Sequence, residues 1–162
     1  MAQEQHSIHY ERFTDISELP KPWQELVQAA RKATTDAYAP YSNFHVAAAA
    51  KTGDTIVTTT NQENASFPVG LCAERTMLSV LSTQYAGQKI DAIAISYHNI
   101  NSTGGIDKPI APCGLCRQSM LEFEQRNGGK INIIMSSLQG EIIVVHSVED
   151  LLPFSFSASH LD

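Results

Sequence analysis

All three cysteines of the 162-residue chain fall in two short motifs, Gly70-Leu71-Cys72-Ala73-Glu74-Arg75 and Ala111-Pro112-Cys113-Gly114-Leu115-Cys116-Arg117. That distribution constrains the fold more than any other feature, because three thiolates can share one metal ion only if two distant segments meet. Residues two apart on a regular helix point to nearly opposite sides, since each step turns about 100°. Cys72 and Glu74 therefore serve one site only if Cys72 sits at or before the first turn of a helix. Pro112 is tolerated at such a start, and Gly114 lets backbone approach a sulfur, so the second motif reads as another helix start. The expectation is two helix N-termini facing each other across one ion.

Three sulfur ligands leave one tetrahedral position open, which marks a catalytic zinc rather than a closed structural one. Water in that position ionises near neutral pH. Glu74, a hard oxygen donor beside soft sulfurs, reads as the general acid and base and not as a ligand. Three thiolates around a dication leave a net negative charge. Two helix N-termini offset part of it, and Arg75 and Arg117, each directly after a ligand cysteine, are expected to offset more. Taken alone, Cys113 and Cys116 would also fit a redox pair or a structural zinc; Cys72-Ala73-Glu74 upstream decides for catalytic metal.

Cys-Ala-Glu followed by Pro-Cys-x-x-Cys resembles an established signature of zinc-dependent nucleoside deaminases. The string Asn61-Gln62-Glu63-Asn64-Ala65-Ser66-Phe67-Pro68, continued through Gly70 to Arg75, is similar to the cytidine deaminase family almost residue for residue. The likeness runs from about Tyr38 to Phe156. It implies a three-layer α/β/α fold with a mixed five-stranded sheet and one Zn2+ per chain. It also implies hydrolytic deamination of cytidine and deoxycytidine in pyrimidine salvage, by a homotetramer. In that scheme activated water attacks C4 of the cytosine ring while Glu74 carries its proton to N3 and then to the leaving amine.

A flat pyrimidine needs a stacking face, for which Phe44 is the candidate, and a ribose needs polar groups near the metal. Asn61 and Glu63, two apart in an extended segment, share one side and suit a single sugar; the family likeness implies the same contacts. It further implies that the Ala73 carbonyl orients the amine, that Tyr41 and Phe67 lie at the pocket or a subunit junction, and that Phe156 reaches a neighbouring subunit's pocket. His45 and Ala47 stand where the family commonly has Pro and Gly, the segment before Pro112 is longer, and the tail around Phe156 matches only loosely. Asn61 and Asn64 also suit turns, and Glu63 a solvated surface.

The length suits one domain, residues 1–162, with 1–20 as an N-terminal extension. Residues 1–6 lack a hydrophobic signal core and no apolar run is long enough for a bilayer, so a soluble, cytoplasmic protein is expected. An odd number of cysteines in metal spacing agrees with a reducing compartment. The net charge of −6 argues against a polynucleotide partner, which needs clustered Lys and Arg. A nucleotide substrate would ask for basic residues near 61–67, where there are none. Two rival readings are a deaminase of another small amino-heterocycle, such as an aminonucleoside antibiotic, and a non-catalytic zinc-binding module. A purely structural site has no reason to keep Glu74 beside the metal.

Along the chain, weak alternation over 7–13 reads as an extra edge strand, and helical periodicity covers 22–37. Strands are expected at 44–50 and 55–60 around the turn at Gly53, then a helix over 72–85 and a buried strand at 90–96. Residues 98–110 read as a mobile loop. A helix over 113–126 follows, then strands at 131–135 and 142–145, and a helix cap at Ser147. This order argues a mixed sheet with helices on both faces, and ligands bound where strands give way to helices.

Overall fold

The computed structural model describes residues 1, 3–102 and 108–161. Helix α1 (Lys21–Ala33) starts with Pro22 in its first turn, and its apolar stripe of Leu26, Val27 and Ala30 is buried. It stops earlier than its periodicity predicts. Thr34 turns its hydroxyl back to the Arg31 carbonyl at 2.8 Å, and residues Thr34–Asp36 tighten into a 3-10 turn.

Among the described residues there are six strands: β1 (Glu11–Phe13), β2 (Phe44–Thr52), β3 (Thr55–Thr60), β4 (Ala92–Asn99), β5 (Asn132–Met135) and β6 (Ile142–Val145). They form one sheet in the order β1-β6-β5-β4-β2-β3, with β4 and β5 parallel and the other neighbours antiparallel. The sheet therefore has six strands where five were expected. The addition is β1, part of the weakly alternating N-terminal stretch, which pairs Glu11 with Val144 and Phe13 with Ile142.

Strand alternation sends neighbouring side chains to opposite faces. On one face Leu26, Val27 and Ala30 of α1 pack with Ala49, Ala94 and Ile134. On the other, Met77 and Leu81 of α2 (Ala73–Gln84) and Met120 and Leu121 of α3 (Gly114–Asn127) pack with Ala48, Ile93, Ile95 and Ile133. The run Ala47-Ala48-Ala49-Ala50 is fully buried on β2. Small side chains there let both helical layers approach the same strand, giving the three-layer α/β/α arrangement.

β4 runs three residues past the expected end, because Tyr97, His98 and Asn99 pair with Val46, His45 and Phe44. The expected mobile loop thus begins after Asn99, and residues 103–107 of it lie outside the described residues. Beneath the sheet, buried Glu124 ties three segments together. It accepts from the Ile131 amide at 2.7 Å, the Ser147 hydroxyl at 2.7 Å and the Val148 amide at 3.1 Å. Among the described residues no helix is long and apolar enough to cross a membrane.

Candidate active site

Cys72 and Cys113 each occupy the N-cap of their helix, with extended backbone (φ −71°, ψ 151° and φ −67°, ψ 167°). Both helices lack a side-chain cap, so the first-turn amides stay unpaired by side chains and their partial positive charge faces the sulfurs. Cys116, in the first turn of α3, is buried. Gly114 has no packing reason of the kind expected: a Cβ there would meet nothing within 4 Å.

The sulfur of Cys72 lies 3.9 Å from that of Cys113, which lies 3.3 Å from that of Cys116, and all three are within 4.8 Å of one another. Thiolates about 2.3 Å from a tetrahedral zinc sit roughly 3.8 Å apart, so the donor set fits that ion. Its protonation chemistry fits too. The hydrogen bond with Cys116 lowers the Cys72 thiol to about 6, while the same bond, with burial, pushes Cys116 up. A shared hydrogen bond that favours one thiolate at the other's expense is what a bound dication would relieve, since metal binding needs every ligand thiol deprotonated.

Glu74, one turn-position into α2 and only 5% exposed, stands beside this cluster. Burial pushes its carboxyl above the ordinary range, opposed by its own backbone amide and by Cys116. A cavity of about 540 Å3 opens onto Cys72, Glu74 and Cys113, and Phe44, Asn61, Glu63 and Phe67 complete its walls. No Lys or Arg is among the described residues lining it, whereas two carboxyl groups are.

The two residues expected to hold a sugar also brace the cavity. Asn61 donates to the Phe44 carbonyl at 2.9 Å and accepts from the Val46 amide at 2.8 Å, fixing the start of β2. Glu63 accepts from the Tyr41 and Ser42 amides at 2.9 and 3.2 Å and from the Ser42 hydroxyl. Burial would raise its carboxyl, but those hydrogen bonds, with the nearby His45, hold it below the usual range. Asn64 makes a turn, accepting from the Ser66 amide at 2.8 Å.

Ala73 is buried and does not line the cavity; its carbonyl accepts from the Thr59 hydroxyl at 2.9 Å. Tyr41 meets Phe67 edge to face at 5.8 Å, beside a recess that adjoins the mouth. Arg75 faces a groove between α2 and α3, and its charge helps to lower Cys72. Arg117 brackets the second motif, donating to the carbonyls of Pro112 and Leu151 at 2.8 and 2.9 Å. Phe156 lies away from the cavity of its own chain, stacked on His160 at 5.6 Å. Sequence reading missed Ser42, Val46, Ile110 and Ala111 among the lining residues. Only the neighbourhood of Ser42 to Phe44, and of Ala111 to Cys113, signalled them.

Three converging sulfurs and a buried carboxyl, set at two helix N-termini over a cavity, define a metal-dependent hydrolytic centre. The family described as "Cytidine and deoxycytidylate deaminase zinc-binding region" matches residues 20–128. The chain belongs to that family and is a zinc-dependent hydrolytic deaminase. A cytidine deaminase of Halalkalibacterium halodurans is 34% identical over 140 residues, covering 86% of this chain and 97% of the relative. One from Mycobacterium tuberculosis is 33% identical over 145 residues, covering 86% and 92%. The crystal structure of cytidine deaminase from Burkholderia pseudomallei superposes with a TM-score of 0.66 at 40% identity, covering 82% of this chain and 97% of that one.

Proposed function

We propose that this chain hydrolyses cytidine and deoxycytidine to uridine and deoxyuridine, releasing ammonia, in pyrimidine salvage. The observation that carries the reading is buried Glu74 beside three convergent sulfurs, in a cavity with an aromatic wall and no cation. Absence of Lys and Arg among the described lining residues favours an uncharged nucleoside over a nucleotide, whose phosphate would face two carboxylates. In this reading Cys72, Cys113 and Cys116 hold one zinc. When bound, zinc supplies the Lewis acidity that brings a water near its ionisation point at neutral pH.

Glu74 does the proton work. Its carboxylate takes a proton from the attacking water, delivers it to N3 of the ring, and carries a second to the departing amine. Burial raises its affinity for that proton, which suits a group that must both hold and release it. Phe44 offers the ring face on which the base stacks, with Phe67 near the mouth. Asn61 and Glu63 present their remaining hydrogen-bonding capacity to the ribose while keeping the cavity wall in place. The Ala73 carbonyl orients the amine, and Arg75 and Arg117 balance the charge of the thiolates.

The chain acts as a single domain and as a homotetramer in the cytoplasm. Exposed Tyr41, Phe67, Val69 and Leu71 around the mouth, with Leu115 and Phe156 nearby in sequence to the second motif or in the tail, support burial against other copies. Phe156 would contribute across such a junction. Three free cysteines suit a reducing compartment.

The test is loss of cytosine absorbance with ammonia release on zinc-loaded protein, with metal content and solution mass measured on the same sample. Expected are about one zinc per chain, a mass four times the 17.7 kDa of the chain, and a Glu74→Gln variant slower by about 10²–10⁴-fold. Zinc without turnover of either nucleoside overturns the substrate assignment, and an active Glu74→Gln variant overturns the role of Glu74.

A further inference from the structure

We propose that Tyr97 is a positioning residue for the base-stacking wall, holding the Phe44 ring from behind. This rests on the reading above, in which Phe44 meets the pyrimidine. In the antiparallel ladder of β2 and β4, Val46 faces Tyr97 and Phe44 faces Asn99, so Tyr97 and Phe44 are diagonal neighbours. Such neighbours on one sheet face are within reach of aromatic side chains. Their rings stack with centroids 5.1 Å apart and planes inclined by 22°. Phe44 lines the cavity and Tyr97 does not, so the second ring supports the first from outside.

Phe44 needs such support because of where it stands. It is the first residue of β2, directly after Asn43, whose positive φ of 55° places it in the turn. A half-buried aromatic at the end of a strand can swing about χ1, and a base that stacks on it must first fix it. A ring already held in place spares that ordering cost on binding. Tyr97 also reaches the other side of the cavity. Its hydroxyl donates to the Lys108 carbonyl at 3.0 Å, just ahead of Ile110 and Ala111, which line the cavity, and of Cys113. One side chain thereby joins the stacking wall to the segment that delivers the second cysteine motif.

The experiment is steady-state kinetics on cytidine, per zinc bound, with thermal midpoints for every variant. Tyr97→Leu removes the stack and raises KM about three- to tenfold with kcat nearly unchanged, the pattern of a lost contact made equally before and during reaction. Tyr97→Met carries the same test if Tyr97→Leu does not fold. Tyr97→Phe keeps the ring and returns KM to near its original value. In a Phe44→Leu background, Tyr97→Leu adds no further rise, because its effect passes through the Phe44 ring. A fall in thermal midpoint with KM unmoved, or additive effects in the double variant, overturns the positioning role alone. An original enzyme that turns over neither cytidine nor deoxycytidine overturns the substrate reading and this role with it.

Discussion

Glu63, expected from the sequence to meet a ligand, is a brace in the structure. Its carboxylate gathers the Tyr41 and Ser42 amides and the Ser42 hydroxyl, all about twenty residues upstream. Because the folded-state value is lowered, the stabilisation from this brace is complete above the ordinary carboxylate range and is lost as pH falls through the lowered value. In an NMR titration the Tyr41 and Ser42 amides should therefore shift with a midpoint below the ordinary value of a glutamate carboxyl. A midpoint at or above that value would show the brace to be absent in solution. The string from Asn61 to Glu63 pointed to these residues, which line the cavity. It did not disclose that Asn61 holds the backbone at Phe44 and Val46, since those partners follow from how β2 and β3 pair. Tyr97 was hidden for the same reason: nothing near it in the chain points to Phe44.

Helices α2 and α3 begin with cysteine where Ser, Thr, Asp or Asn usually caps. This much was legible, because a Cys72-x-Glu74 pair cannot converge from inside a regular helix. A metal held by the two caps joins both helix starts, so removing it should be felt there first. Stripping zinc with a chelator should lower the thermal midpoint by roughly 10 °C, as loss of a saturating ligand does for a chain of this size. Hydrogen exchange should quicken at residues 73–77 and 114–117 while β2 and β4 keep their protection. Uniform loss of protection would instead mean that the metal stabilises the whole fold as one unit. Element ends were less legible than element identities. β4 continues through polar Tyr97-His98-Asn99 because β2 supplies pairing partners, and α1 ends early because the Thr34 hydroxyl competes for a helix carbonyl.

At the scale of the molecule, the family match begins at residue 20, so β1 lies outside it and extends the sheet beyond β6. The strand it covers reads Ile142-Ile143-Val144-Val145, a short uncharged β-branched run of the kind that recruits other edges when left open. β1 covers it with Glu11 and Arg12, which also pair with His146 and Glu141 at 2.9 and 2.7 Å. Those pairs are about half exposed and add little stability. Deleting residues 1–12 should thus leave turnover per zinc intact and shift the thermal midpoint by only a few degrees. Light scattering should nonetheless show aggregation growing with concentration. A truncated protein as monodisperse as the full chain would show that β1 is not an edge cover.

The three sulfurs also set an order of events during synthesis. Cys72 leaves the ribosome well ahead of Cys113 and Cys116, with all of β4 between them. A nascent chain that ends before residue 113 offers a metal one thiol and no tetrahedral set. Zinc uptake must therefore wait until the start of α3 has emerged and β4 has found its place beside β2. At that point β5 and β6 have yet to emerge, so the metal can meet a sheet of β3, β2 and β4 that is still to be extended at its β4 edge.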